Sequence, residues 1–231
     1  MNTYALIIPT YENNIGFKLS ALDTYLKHVP KNMDIFFVYG GNIETVIKSK
    51  KGDVEYTDLY FKVPEKITAL HKKLFYAFRK LNKQKYTHFI KVDDDTFIHN
   101  IDTFLNHKIS GDYVGNKVLL ETEVQRISAR NKLIHLKNYK IRDSYLGELP
   151  NQYCSGECIM FSKKAIDTIV NYRGPEKFEK FALEDVTMGK ILEKSNIKIN
   201  LNKFINYEHP VDLNKFHSFY EKHYIDEPVP A

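Results

Sequence analysis

His88-Phe-Ile-Lys-Val-Asp-Asp-Asp-Thr-Phe-Ile98 joins a short apolar run to three consecutive carboxylates. Its first five residues have the length and apolar density of an interior strand. Asp93-Asp94-Asp95 then stands at the strand exit. Three ionised carboxylates there repel one another: at about 4 Å and an effective dielectric of about 20, each pair costs on the order of 4 kcal/mol. A divalent cation reverses that sign. Hard oxygen ligands suit magnesium or manganese, which divide their coordination among carboxylates, water and substrate phosphates. Read alone, the triplet fits a solvated acidic turn equally well.

Working outward, the upstream chain alternates strands and helices. Pro64 introduces Ile67, Leu70, Leu74, Phe78 and Leu81, and this spacing predicts one buried helix face. Asp34 to Tyr39 reads as an interior strand closed by Gly40-Gly41, and Tyr4 to Pro9 as another. After the break at Asn13-Asn14 and Gly16, Leu19, Leu22 and Leu26 recur at helical spacing. The alternation predicts an α/β layer structure with crossover connections. Downstream, Arg126 to Arg142 carries six Arg or Lys with few strand or helix cues, a basic connection that is a candidate lid. Ile159 to Phe161 reads as a strand, Ala165 to Tyr172 as a helix, and Val186 to Leu192 as a helix opened by Glu184-Asp185. No repeat or linker divides the chain, so a single domain over 1–231 is expected.

Composition narrows the function. A chain of 231 residues buries roughly 70% of its unfolded surface. With 43% hydrophobic and 27% charged residues, disorder and fibrous repeats are excluded. The net charge of +5 is spread among mixed signs, which disfavours nucleic acid as a partner. Cys154 and Cys158 are too few to staple the fold or to complete a structural zinc site, and read as idle or buried thiols. The start of the chain has no secretion signal, and no apolar run approaches the roughly 20 residues that cross a bilayer. A soluble, cytoplasmic protein is expected, of bacterial, viral or otherwise cytosolic type.

Several enzyme classes fail on spacing. Haloacid-dehalogenase phosphatases need Asp-x-Asp-x-Thr or Val after a strand; counted from Asp93 the fifth residue is Phe97, and counted from Asp94 the third is Thr96. No Walker loop and no Gly-x-Gly-x-x-Gly is present, so phosphate has to be held through a metal. Glu184-Asp185 alone is ordinary helix N-terminal charge. His209, His217 and His223 lie in an aromatic-rich C-terminal stretch, where each is individually unremarkable.

In order, these blocks resemble glycosyltransferase family 31, the β1,3-glycosyltransferases that include the Fringe proteins and core 1 galactosyltransferases. Phe89 to Ile98 is similar to the family's strand and Asp-x-Asp block, and Tyr153-Cys-Ser-Gly156, preceded by Tyr139, Tyr145 and Pro150, to its Tyr-Cys-Ser-Gly segment. Leu183 to Gly189 is similar to the Glu-Asp-Val block, and Phe216 to His223 to the C-terminal Phe-His-x-Phe segment. The resemblance spans roughly 54–224. It implies a GT-A fold with a mixed central sheet and helices on both faces, divided into a nucleotide-binding half at about 1–98 and an acceptor-binding half at about 99–224.

The resemblance also implies an inverting transfer of a hexose or N-acetylhexosamine from a UDP-sugar to a glycan or glycosylated acceptor, with manganese or, in its place, magnesium. Asp95, Asp93 and His217 are then the expected metal ligands, and Asp93, Asp94 and Lys73 the nucleotide contacts. Asp185 is the expected catalytic base, and Gly156 and Glu184 line the donor-sugar pocket. The chain departs from relatives in having no Trp, no counterpart of their N-terminal Arg and Thr-Trp segment, and Glu157 where a second glycine is common. A catalytically silent sugar-nucleotide or glycan binder and a nucleic-acid binder are the competing readings.

Overall fold

The computed structural model describes residues 2–65, 69–99, 101, 111–119, 150–172, 184–202 and 205–225. Ile67, Tyr139, Tyr145, Leu183 and the basic connection from Arg126 to Arg142 lie outside the described residues. In chain order, β1 (Tyr4–Pro9), α1 (Ile15–Asp23), β2 (Met33–Tyr39), β3 (Thr45–Lys51), β4 (Val54–Tyr60), α2 (Leu70–Leu81) and β5 (His88–Val92) come first. The short strands β6 (Phe97–Ile98), β7 (Tyr113–Gly115), β8 (Val118–Leu119) and β9 (Tyr153–Cys154) follow. After them come β10 (Cys158–Ser162), α3 (Lys163–Asn171), α4 (Glu184–Lys194), β11 (Ile199–Leu201), β12 (Tyr207–Glu208) and α5 (Phe216–Tyr220).

Eight strands form one mixed sheet in the order β11-β7-β10-β5-β1-β2-β4-β3. β5, β1, β2 and β4 run parallel, whereas β10 is antiparallel to both β5 and β7 and β3 is antiparallel to β4. Strand alternation divides the core between the two faces. Ala5 and Ile7 of β1 pack with α2, α3 and α4, while Tyr4, Leu6 and Ile8 pack with α1 and Phe216. The sheet is therefore covered on both sides, as its apolar interior strands require.

On α2, Leu70, Leu74, Phe78 and Leu81 are all buried, as their spacing predicts, and Arg79 and Lys80 complement the helix dipole in the last turn. Phe78 meets Phe161 edge-on at 5.6 Å and Phe89 at 6.4 Å between ring centroids, which ties the helix to β10 and β5. Phe78→Ala is expected to cost about 3–5 kcal/mol, read as a lower urea midpoint at unchanged m-value. The other amphipathic reading holds less well. Leu22 and Leu26 are buried but Leu19 is 41% exposed, and Leu26 lies beyond α1, which stops at Asp23, on a separate 3₁₀ turn over Tyr25–His28.

The β3–β4 hairpin goes unpredicted. β3 carries Lys48, Lys50 and Lys51 and lies at the sheet edge, where lysines discourage pairing with another chain and erase the apolar signal of a strand. Among the described residues, no helix is long and apolar enough to cross a membrane.

Candidate active site

Strand order reverses between β1 and β5, since β2 and β4 lie on one side of β1 and β5 on the other. In open α/β sheets such a reversal leaves a crevice at the carboxyl ends of the strands, where ligands bind. Here the crevice is bounded by Thr10 and Tyr11 after β1 and by the acidic triplet after β5.

The three carboxylates have different surroundings. Asp94 turns toward β1, where Oδ2 accepts hydrogen bonds from Thr10 Oγ1 at 2.7 Å and Asn14 Nδ2 at 3.0 Å, so it braces the β1–α1 connection. Burial raises its carboxyl above the ordinary range, and these two bonds oppose the rise. Asp93 is raised to about 6 by burial, against the pull of Lys91 and with a further push from Glu184. Burial pushes Asp95 up, but the hydrogen bond and charge of His209, a backbone hydrogen bond and the charge of Lys91 together hold it below the ordinary range.

His209 arrives from the far end of the chain through strand pairing. β12 lies antiparallel to β6, with Tyr207 opposite Ile98 and Glu208 opposite Phe97, and the next residue lands beside the triplet. His209 Nδ1 lies 3.2 Å from Asp95 Oδ1 and 3.0 Å from Thr96 Oγ1. Although burial favours the neutral ring, Asp95 holds its proton affinity above the usual value. Asp93, Asp95 and His209 each present one ligand atom, all within 4.8 Å of one another. Two carboxylates and an imidazole at that separation fit a divalent cation such as manganese.

His217 lies elsewhere. It is exposed on α5, the helix whose other face is anchored by Phe216 packed edge-on against Phe97 at 5.7 Å. Three C-terminal histidines look alike in the sequence, and only the β6–β12 register distinguishes His209.

Lys91 is the group that sequence reasoning passed over. It occupies the middle of an apolar strand, is fully buried, and donates to Asp93 Oδ1, to the Gly156 carbonyl and to Glu184 Oε1, the last at 3.1 Å. Burial alone would lower its proton affinity; Asp93 and Glu184 more than reverse this and keep the ammonium charged. One cation thus ties together the strand exit, the β9–β10 turn and the start of α4. A lysine within an otherwise apolar interior strand, followed two residues later by an acid, is the signal that could have found it.

Gly156 lets that junction close tightly. A Cβ there would stand 2.9 Å from Glu184 Oε1 and 3.3 Å from Lys91 Nζ. Gly189 on α4 admits β9 in the same way, since a Cβ would come within 2.4 Å of Tyr153 Cβ. The close packing of β9 on α4 brings Asp185 to the crevice. Asp185 keeps some solvent contact, Oδ1 accepts the Val186 N–H at 2.7 Å, and Oδ2 lies 3.6 Å from the position of a Gly156 Cβ. Its carboxyl is raised to about 8, first by burial and then by Glu184.

Lys73 is fully buried beneath the β1 exit. Its ammonium donates to the Thr10 carbonyl at 2.8 Å, pairs with Glu65 Oε2 at 2.6 Å and lies 3.7 Å from the centre of the Tyr11 ring. Glu65 also accepts the Gly40 N–H at 2.9 Å, so the group joins the carboxyl ends of β1 and β2. Lys73 therefore shapes the floor of the crevice through protein partners.

A mixed sheet with an acidic crevice at its point of reversal and a second acid on a facing helix defines the class: the fold is that of a GT-A glycosyltransferase. Along 95% of its length the chain is similar to 99% of a glycosyltransferase involved in glycosylation of the major capsid of PBCV-1, with 8% identity and a TM-score of 0.50. The catalytic domain of Drosophila β1,4-galactosyltransferase 7 with xylobiose is more distant, at 12% identity and TM-score 0.45, with 94% of this chain and 73% of that one covered. A mutant of the same enzyme with manganese, UDP-Gal and xylobiose has 11% identity, TM-score 0.44 and coverages of 94% and 74%. No curated protein matches in sequence. The galactosyltransferase family profile matches residues 22–203, and the chain belongs to that family of glycosyltransferases.

Proposed function

We propose that the chain is an inverting, metal-dependent glycosyltransferase that moves a hexose or N-acetylhexosamine from a UDP-sugar to a hydroxyl of a glycan or glycosylated acceptor, in β1,3 linkage. The observation that carries this reading is the convergence of Asp93, Asp95 and His209 at the sheet reversal. These three residues would hold manganese, or magnesium in its place, with His209 taking the position expected of His217. A bound cation supplies neutralisation of the charge that grows on the departing diphosphate.

The remaining chemistry belongs to the chain. Asp185 accepts the proton of the acceptor hydroxyl as its oxygen attacks the anomeric carbon from the face opposite the diphosphate. A carboxyl raised to about 8 is a stronger base than an ordinary carboxylate, and the deprotonated fraction that can act grows as pH rises toward that value. Gly156 and Glu184 line the donor-sugar side, and Lys91 fixes both relative to Asp93. Lys73 and Asp94 hold the nucleotide side by fixing the backbone at the β1 exit. The nucleotide half is then about 1–98 and the acceptor half about 99–224.

Calorimetry of UDP with and without manganese tests the metal set. Asp95→Asn and His209→Ala are each expected to weaken manganese-dependent UDP binding by at least about tenfold. His217→Ala should leave it unchanged. Wild-type affinity in both Asp95→Asn and His209→Ala removes the proposed site. Turnover of a UDP-sugar panel with manganese then separates an enzyme from a silent binder.

A further inference from the structure

Thr96 separates the acidic triplet from β6 and is fully buried. Its backbone N–H donates to the Asp93 carbonyl at 3.2 Å, and the adjacent Asp95 carbonyl accepts the Val211 N–H at 2.9 Å. Thr96 thus sits where the triplet is tied to the segment that carries His209. Its Oγ1 lies 3.0 Å from His209 Nδ1, the same nitrogen that lies 3.2 Å from Asp95 Oδ1.

An imidazole nitrogen that faces an ionised carboxylate is stable there as a donor, because a bare lone pair would be repelled. Nδ1 therefore carries the proton, with two oxygens in reach. Nε2 has no hydrogen-bond partner among the described residues, and it is not one of the nitrogens sealed from solvent; the His209 side chain is 20% exposed. A ring protonated at Nδ1 keeps its lone pair at Nε2, the form in which imidazole binds a metal.

Asp95 alone is a poor holder of that ring. In the proposed site its carboxylate is also a cation ligand, and an oxyanion shared with a cation is a weaker acceptor for N–H. Thr96 lies outside the set of Asp93, Asp95 and His209, so its oxygen stays available. Its β-branched side chain is stiff at χ1, and burial leaves it little room to turn.

We propose that Thr96 is a positioning residue of the metal site: its hydroxyl oxygen accepts the Nδ1–H of His209 and fixes the ring so that Nε2 is the nitrogen offered to the cation. This inference rests on the metal-dependent reading above.

Thr96→Val removes the hydroxyl at nearly constant volume, and Thr96→Ser keeps it. By calorimetry, Thr96→Val is expected to weaken manganese-dependent UDP binding by about tenfold or more, while Thr96→Ser stays within about threefold of wild type. UDP binding without manganese should be the same in all three. In a His209→Ala background, Thr96→Val should add no further loss, since the hydroxyl acts only through that ring. The ¹⁵N shifts of the His209 ring, read in the metal-free protein at a pH that leaves the ring neutral, should place the proton on Nδ1 in wild type and Thr96→Ser. Wild-type affinity in Thr96→Val, an equal loss in Thr96→Ser, a further loss in the His209→Ala background or a proton on Nε2 in the wild type would each overturn the proposal. A wild type that binds no UDP with manganese overturns the underlying reading instead, and the proton position, read without metal, separates the two failures.

Discussion

Asp185→Asn is expected to cut turnover by about 10²- to 10⁴-fold while leaving manganese-dependent UDP binding close to wild type. Asparagine keeps the shape of the side chain and its acceptor toward the Val186 N–H, but it has no lone pair basic enough to take a proton. The loss therefore falls on kcat, and UDP calorimetry serves as the control for an intact nucleotide site. Loss of nucleotide binding in this variant would remove Asp185 from the base role.

The same residue gives a pH signature with a definite sign. Its folded carboxyl is raised to about 8, so the base is largely protonated in mildly acidic solution. Wild-type kcat/KM should rise with pH along a limb well above the ordinary carboxylate range, and a limb near pH 4 would contradict the assignment. Between its unfolded value and about 8, the native state binds a proton that the unfolded state has released. Stability contributed by this group is thus full below the unfolded pKa and falls as pH rises to about 8. Asp185→Asn removes that penalty, so a higher Tm at neutral pH should accompany the lost turnover, a trade-off common at functional sites.

Lys91→Met should be the most destabilising single change at the site, at about 3–5 kcal/mol, because it leaves the buried Glu184 and the half-buried Asp93 without their counter-charge. Activity falls with it, as the strand exit, the β9–β10 turn and the start of α4 lose their common tie. Urea denaturation gives the magnitude. Adding Glu184→Gln to Lys91→Met removes one of the stranded charges and should return part of the stability, giving a coupling energy in the double-mutant cycle. Additive effects would show that the three groups do not act together.

The sequence made α2 legible because a buried helix face leaves a three-and-four pattern that neighbouring charges cannot hide. β1, β2 and β5 were legible for the same reason: interior parallel strands are almost continuously apolar. β3 was not, since an edge strand protected by lysines lacks that pattern. Asp93, Asp95 and Asp185 stood out as acids at the ends of regular elements. Lys91 did not, because whether a lysine in an apolar run is an error of reading or a buried counter-ion depends on Glu184 and Gly156, which are distant in the chain.

Composition and local periodicity, which depend on neighbours within a few residues, by themselves determined the layered α/β class and the position of an acidic strand exit, and the order of its motifs carried the family resemblance. That His209, and not His217, lies in the cluster with Asp93 and Asp95 was decided only by tertiary structure, through the register of β6 on β12. So was the contact of Thr96 with His209. Both depend on which backbone segments lie side by side, and that long-range pairing leaves no period in the sequence from which it can be read.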